Sequence, residues 1–420
     1  MEPITPGEVF QSLCVVPGPA LAVAELAAYK TFFVDGAHMK DAQGETRFDC
    51  AQFLVIEAKT SLMERVEKDG TYVSKNLPLL VSICLSESKD EYAFGYWTLA
   101  RAGLDLNNKE YNILHDRGTA VIAASEKALP QADTFHCDQH LFRNVCALPG
   151  IGDLSKARPA FLAMTKAVTA KTFDQARVDL CAQLPQHAVD YVMAIKKERI
   201  SAYHFRLHTG KAISFTNTNP VEAENNRLLP ARWAKTPIEG FFDLTKICGS
   251  TFASHQLLIK RQLEGITGPL PKILPVLKRR AMGHYKMTAA AKLGCKLADA
   301  NSKIVRVTTA ASVADTVNVN LAQRTCDCGR YAEDQYPCVH ALAAAAFLKY
   351  KSLDYFELFA PMFLTENIVA AHTRSILVPS RVNILPNSLE RIEPSAHFVH
   401  TVRGPGRPLA NKRIRSTGEL

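Results

Sequence analysis

Short apolar runs alternate with amphipathic stretches over the first 140 residues of the chain. The apolar runs are rich in β-branched and aromatic side chains, which is typical of strands. Five of them lie at residues 31–34, 52–56, 79–85, 111–114 and 134–137. Residues 91–102 and 120–129 instead space their apolar side chains as helices do. Strands that alternate with helices in this way predict an α/β core.

The ends of these predicted strands carry polar residues. The first run ends at Asp35-Gly36, and the fourth ends at His115-Asp116, so we expect each aspartate at a strand end. Asp69-Gly70 predicts a hairpin turn, within a long loop expected over residues 62–75.

The pattern changes after Leu141, where helical spacing dominates to about Arg206. A helical block within an α/β domain predicts an insertion, after which helices continue to about Leu297 and a small hairpin comes next. The expected organisation is a helical lead-in, a first core part, a helical insertion, a core completion, a zinc region and a C-terminal extension with a basic tail. Their expected bounds are residues 1–28, 29–140, 141–215, 216–298, 299–350 and 351–420.

Composition and charge restrict the class of protein. The chain has 420 residues, a net charge of +9 and eleven cysteines. The N-terminus is acidic and proline-rich where a signal peptide is basic and then apolar, and no apolar stretch is long enough to span a bilayer. We therefore expect a globular protein from a reducing compartment, without a membrane partner, in which some thiols bind metal.

Four zinc-type ligands lie within fifteen residues near the C-terminus. Cys326, Cys328, Cys338 and His340 give the spacing C-x-C-x9-C-x-H. Four protein ligands leave no position open for water, so the pattern predicts a structural zinc site and not a catalytic one. The spacing resembles the SWIM zinc finger, including Pro337 before the third ligand and a helix of small residues after the fourth.

The two aspartates carry little information alone, because an aspartate at a strand end is usually a cap or turn residue. Their context is more specific, since five segments resemble, in order, those of Mutator-like DNA transposases. The segments are residues 31–36, residues 112–118, the C-x-x-H segment around Cys137 and His140, residues 218–225 with an E-x-x-N pattern, and the SWIM finger.

This resemblance covers the chain from about residue 25 onward, and it implies a ribonuclease H-like α/β core interrupted by a helical insertion. It also implies a catalytic triad of Asp35, Asp116 and Glu222 that holds two Mg²⁺ or Mn²⁺ ions. Glu224 is the rival for the third position, but it lies about 200° from Glu222 on a helix, so only one of the two can face the site. Asn225, one turn after Glu222, is expected to support the site.

Cys137 and His140 have two interpretations. They either shape the active site or contact DNA, or else Cys137 simply packs and His140 forms hydrogen bonds near the carboxylates. Two residues cannot complete a zinc site without distant partners.

The resemblance implies cleavage of DNA at transposon terminal repeats and transfer into target DNA, with a homo-oligomer as an expected assembly. Two alternatives remain: a domesticated, catalytically silent regulator that binds DNA, and a pure interaction protein held together by zinc. The family carries a DNA-binding module ahead of its core, but only some thirty residues precede Asp35 here. Autonomous recognition of transposon ends is therefore not expected.

The C-terminal tail is basic and has no acid between residues 394 and 418. Its cations are Arg403, Arg407, Lys412, Arg413 and Arg415. Residues 406–408 match the G-R-P core of a minor-groove hook, although Pro405 replaces the usual preceding arginine. Residues 412–415 fit a nuclear import signal, which predicts a nuclear protein. A solvated tail without a partner is the remaining alternative.

Overall fold

The computed structural model of the protein describes most of the chain between Ser12 and Thr373. The described residues are 12–38, 52–66, 70–84, 86–151, 154–216, 227–232, 237–289, 293–298, 304–308, 316–350 and 354–373.

A six-stranded mixed sheet forms the centre of the N-terminal region. Its strands are β1 (Ser12–Val15), β2 (Ala28–His38), β3 (Gln52–Arg65), β4 (Tyr72–Cys84), β5 (Asn112–His115) and β6 (Asp133–His136). They lie in the order β1-β4-β3-β2-β5-β6. The pairs β2–β5 and β5–β6 are parallel, and the other neighbours are antiparallel. The carboxyl ends of β5 and β6 therefore lie at the same end of the sheet.

Strand β2 runs past Asp35, which corrects the expectation that the strand ends there. Its parallel ladder with β5 stops at the pair of Val34 with His115. Its antiparallel ladder with β3 continues through Asp35 and Gly36 to His38. Asp35 is thus the first residue of β2 beyond the parallel ladder, because only one neighbouring strand extends that far.

The hairpin that the sequence predicts here is present, but its strands extend into residues 62–75, which were expected to form a loop. Strands β3 and β4 continue to Arg65 and from Tyr72, and Gly70 takes the positive φ of 69° at the turn. Two hydroxyl residues of β3 just before this segment are buried, and their side chains donate to backbone carbonyls. Thr60 Oγ1 donates to Lys75 O at 2.9 Å, and Ser61 Oγ donates to Ala27 O at 3.0 Å.

Three helices lie between successive strands of this sheet along the chain. They are α1 (Gly18–Leu26), α2 (Lys89–Arg101) and α3 (Thr119–Ala128). Helix α2 begins after Ser88, whose Oγ accepts the Glu91 amide at 3.2 Å. The hydroxyls of Tyr96 and Ser125, which are 3.1 Å apart, link α2 to α3. Apolar residues of all three helices share one core cluster with the sheet. The expected helical lead-in is wrong in part, because β1 precedes α1 and pairs with β4.

Five helices occupy the block between β6 and Gly210, as the helical spacing predicts. They are α4 (Asp138–Cys146), α5 (Ala157–Thr165), α6 (Ala170–Cys181), α7 (Gln186–Met193) and α8 (Ala202–Thr209). Helices α4 to α7 share a hydrophobic cluster of their own, which includes Phe161, Phe173 and Leu180. Helices α4 to α7 therefore have a core separate from that of the sheet, whereas α8 packs on the sheet through Ala202 and Phe205.

The C-terminal half contains helices and a second, smaller sheet. Its elements are α9 (Leu229–Arg232), α10 (Pro237–Leu263), α11 (Pro275–Ala289), β7 (Gly294–Leu297), β8 (Ile304–Thr308), β9 (Thr316–Asn320), β10 (Thr325–Cys326), α12 (Arg330–Asp334), α13 (Val339–Phe347) and α14 (Thr365–His372). Four antiparallel strands have the order β10-β9-β8-β7. The expected helix to about Leu297 is wrong, because residues 294–297 pair with β8 as a strand.

The last described helix, α14, packs back onto the central region. Thr365 N donates to Lys272 O at 3.0 Å, and Gln256 Nε2 of α10 donates to His372 O at 2.6 Å. In the described parts of the chain, no helix combines the length and apolar character needed to cross a bilayer.

Candidate metal centres

The first candidate centre lies at the small sheet, where two local structures present four ligands. Cys326 ends β10 and Cys328 comes next in the turn, where Gly329 takes a φ of 77° that disfavours other residues. Cys338 caps the N-terminus of α13, and His340 lies in its first turn. The turn from Cys326 to Gly329 is the knuckle of the finger, and the helix of small residues that the sequence indicates begins after Cys338.

The four ligand atoms lie within 4.8 Å of one another, with Cys326 and Cys338 buried. The Cys328 and Cys338 sulfurs are 3.7 Å apart, and the Cys326 sulfur is 3.7 Å from His340 Nδ1. A tetrahedron with Zn–S bonds of about 2.3 Å has sulfur–sulfur edges of about 3.8 Å, so these separations fit zinc. His340 would bind through Nδ1.

The thiols of this cluster share their protons, because the hydrogen bonds that raise the pKa of Cys326 lower the pKa of Cys328. The pKa of Cys326 is raised well above its usual range, first by its hydrogen bonds to Cys328 and Cys338 and then by burial. A bound dication removes this penalty because it takes the place of the shared protons and stabilises the thiolates.

The knuckle packs against the helical block. A Cβ at Gly329 would lie 2.7 Å from the Val168 side chain, so only glycine permits this approach. Arg206 holds the same loop through its bond to Val168 O at 2.8 Å. On another side, Tyr29 of β2 donates to Asp334 O at 3.3 Å. The metal-bearing turn is therefore in contact with both the helical block and the central sheet.

The second candidate centre lies where the parallel ladder between β2 and β5 ends. Asp35 and Asp116 each come directly after the last paired residues of the parallel ladder, Val34 and His115. Each carboxylate accepts a nearby backbone amide, from Gly36 at 3.0 Å and from Gly118 at 2.9 Å. The two predicted acids are thus brought to neighbouring strands at the same sheet end.

Glu87 also lies at this site, although the sequence pattern gives no sign of it. A Cβ at Gly36 would lie 1.9 Å from Glu87 Oε1, so the Glu87 carboxylate covers the residue after Asp35. Burial raises the pKa of Tyr92 well above its usual range, and the charges of Glu87, Asp116 and Asp35 raise it further. Three carboxylates are therefore near enough to this hydroxyl for their charges to disfavour its ionisation. Glu87 precedes α2 and has no spacing motif, so only the fold could have revealed it.

Two buried histidines adjoin Asp116. His115 and His136 are paired in register on β5 and β6, with ring centroids 5.3 Å apart. Burial lowers the pKa of His136 to about 3, and the neighbouring His115, Arg117 and Arg199 contribute to this shift. Both rings are therefore neutral near pH 7, and His115 Nδ1 lies 2.5 Å from the carbonyl oxygen of Asp116.

Cys137 directly follows His136, and neither Cys137 nor His140 belongs to the cluster of zinc ligands. Cys137 is buried, caps α4 and accepts the His140 amide at 3.5 Å, while its own amide donates to His115 O at 2.9 Å. This placement agrees with a role for Cys137 in packing at the end of the sheet.

Several predicted site residues lie outside the described residues. They are Glu222, Asn225, Arg403, Arg407, Lys412, Arg413 and Arg415, together with the rival Glu224. Among the described residues, the cysteine–histidine cluster is the only group of three or more ligands this close together. Asp35, Asp116 and Glu87 are therefore neighbours without forming a comparably tight group.

The comparison with known protein families agrees with the geometry of the first centre. Residues 316–349 match the SWIM zinc finger, and this range contains all four ligands. No curated protein matches the sequence significantly. The chain is thus an α/β protein with a C-terminal SWIM domain whose Cys₃His site suits structural zinc, and such a domain suggests a role with DNA or in protein interaction.

Replacing Cys338 with serine should remove the zinc, since the remaining three ligands cannot close the tetrahedron. Elemental analysis of the purified chain should give one zinc per wild-type molecule and close to none for Cys338→Ser. Cys181→Ser, outside the cluster, is the control and should keep its zinc. Equal zinc content in Cys338→Ser and wild type would refute the ligand set.

The buried His136 makes stability depend on pH in a defined direction. Its pKa is about 3 in the folded chain against about 6.5 in the unfolded chain, so below pH 6.5 only the unfolded state gains this proton. Stability should fall as pH drops from 6.5 toward 3, by up to about 1.4 kcal/mol per pH unit for this residue. Chemical denaturation of His136→Gln between pH 7 and 4.5 should show a shallower loss than wild type. Exposed His187→Gln is the control, and a parallel curve for His136→Gln would contradict the assignment.

Proposed function

We propose that this chain is a Mutator-like DNA transposase with a metal-dependent nuclease core. The observation that carries the proposal is that Asp35 and Asp116 each directly follow the last residue pair of the parallel ladder between β2 and β5. The ribonuclease H-like sheet of that family places its carboxylates side by side in this way. The helices after β6 and the SWIM finger beyond them occur in the order that the resemblance implies.

The donor chemistry at this sheet end suits Mg²⁺ or Mn²⁺. Both ions prefer hard oxygen ligands, and the charges of three carboxylates act on Tyr92 here. Asp35, Asp116 and Glu222 would hold the ions, with Glu87 beside them. When bound, two such ions activate the attacking oxygen and stabilise the leaving oxygen of a phosphodiester.

The chain's own residues supply rigidity and positive charge around these acids. Arg117, the residue after Asp116, donates to the Tyr191 hydroxyl at 2.7 Å and lies 5.1 Å from the centre of that ring. Tyr191 belongs to α7, so this arginine is fixed between the sheet end and the helical block. A guanidinium held there would bind a phosphate of DNA and orient it toward the carboxylates.

The partners we propose are transposon terminal repeats and target DNA, handled in the nucleus by a homo-oligomer. The net charge of +9 favours a polyanion. The SWIM finger, together with the basic tail, would add contacts to DNA away from the carboxylates.

A nicking assay tests this proposal at Asp116. Wild-type chain with Mn²⁺ should cut a supercoiled plasmid or a terminal-repeat fragment, and Asp116→Asn should lower the rate at least a hundredfold, because a metal-bridging charge is lost. Asp105→Asn, an exposed aspartate remote from this sheet end, is the matched control.

Equal rates for wild type and Asp116→Asn would exclude this catalytic site. Absence of nicking by both, with DNA binding retained, would favour the alternative of a catalytically silent DNA-binding regulator.

The tail gives a separate prediction. If residues 403–415 bind DNA phosphates, removing residues 403–420 should lower the slope of log K against log salt by roughly three to five, since each neutralised phosphate contributes nearly one. Fluorescence anisotropy over a salt series measures that slope, and microscopy of the same truncation measures nuclear import.

Two partial variants separate the two roles of the tail. Loss of Arg403 and Arg407 should affect DNA binding, whereas loss of Lys412, Arg413 and Arg415 should affect import. If removing residues 403–420 leaves the salt slope unchanged but excludes the protein from the nucleus, the tail acts only as an import signal.

A further inference from the structure

Two arginines lie where the helical block meets the central sheet. Arg117 lies just beyond the end of β5, and its guanidinium donates to the Tyr191 hydroxyl of α7 at 2.7 Å. Arg199 ends a short 3₁₀ turn, Lys197–Arg199, in the helical block, and it donates to the Thr134 carbonyl of β6 at 3.0 Å. Each of these two bonds therefore joins the helical block to the sheet.

Both guanidiniums are held by neutral oxygens. The acceptors are a hydroxyl and a backbone carbonyl. In the described part of the chain the ion pairs join other residues, so neither Arg117 nor Arg199 has a carboxylate oxygen within 4.0 Å there. Arginine keeps its charge at physiological pH, and each guanidinium has more N–H donors than these bonds use. Both groups thus retain charge and donors for a ligand.

The two positive charges act on the same end of β6. His136 ends this strand, two residues after Thr134, and it is paired with His115, the residue before Asp116. Burial is the main cause of the low pKa of His136, and the charges of Arg117 and Arg199 lower this pKa further. Both cations therefore lie at the sheet end that carries Asp116.

We propose that Arg117 and Arg199 together bind one phosphate group of a DNA strand that crosses between the helical block and the sheet. The planar fork of donors on a guanidinium matches phosphate oxygens and can bind two of them at once. A phosphate also supplies the negative charge that neither arginine receives from the described residues. This inference rests on the proposed function for its partner, DNA, but it requires no cleavage.

A salt series on the full zinc-loaded chain measures how many phosphates the two arginines hold. Without added Mg²⁺ or Mn²⁺, fluorescence anisotropy gives the affinity for a labelled DNA duplex at each salt concentration. Arg199→Gln should weaken binding to every sequence and lower the slope of log K against log salt by about one, since one phosphate loses its partner. Arg117→Gln should do the same. The double variant should lower the slope by no more than about one, because both arginines hold the same phosphate.

Arg261→Gln is the matched control, because it removes the same charge far from this site. Arg261 is exposed in the last turn of α10, where the next residue, Gln262, donates to Met63 O near the far end of β3. This variant should keep the wild-type slope. Arg199→Lys serves if Arg199→Gln does not fold, and it should weaken DNA binding several-fold while it retains the slope, since lysine keeps the charge but not the planar fork. Wild-type affinity in Arg199→Lys would contradict the inference.

The outcomes separate this inference from the proposed function. An unchanged slope in both single variants means that the arginines only join the block to the sheet, and the inference is wrong. A fall of about two in the double variant means that each arginine binds its own phosphate, which refutes a shared site. If the slope is unchanged but inorganic phosphate raises the melting temperature of wild type and not of Arg199→Gln, the ligand is a free phosphate and the assignment to DNA is wrong. Failure of the nicking assay with these slopes as expected would refute the nuclease and leave the phosphate site standing.

Discussion

The pairing of β2 with two different partners is the constraint on which the proposed metal site depends. On one side β2 continues along β3 to His38, and on the other its parallel ladder with β5 stops at Val34. The mismatch leaves Asp35 just beyond the parallel ladder, where Asp116 also emerges from β5. A one-residue slip in register would turn Asp35 to the opposite face and separate the two carboxylates. The buried residues Phe32 and Phe33, which belong to different core clusters on the two sides of the sheet, oppose such a slip.

The zinc site depends on a different constraint, because the free energy of binding zinc contributes to the folding of this region. The small sheet buries few residues, and α13 contributes mainly alanines to its core. A fold of this size gains much of its stability from the metal. Because Gly329 contacts Val168, and Tyr29 contacts the carbonyl of Asp334, an ordered knuckle also fixes the edge of the helical block and part of β2. Loss of zinc should therefore also weaken the packing of the finger against the helical block and β2.

Features that depend on local spacing could be predicted from the sequence. The zinc ligands, the alternation of strands and helices, and the helical block all arise from short-range patterns, and the structure has them. Strand lengths were harder to predict, because Thr60 and Ser61 are buried through bonds to carbonyls that only the folded sheet supplies. Residues 294–297 form a strand because β8 is their neighbour. Glu87 and Asp138 acquire their places at the sheet end from contacts across 51 and 78 positions, with Gly36 and Thr216 respectively, which no local motif encodes.

The proposed function requires three acids to converge on divalent metal, and anomalous scattering from crystals soaked in Mn²⁺ tests that convergence most directly. We expect two manganese peaks about 4 Å apart between Asp35 and Asp116, with the Glu222 carboxylate in contact with one of them. An absence of manganese at these two aspartates, or Glu222 on the outer surface of the molecule, would contradict the proposed site.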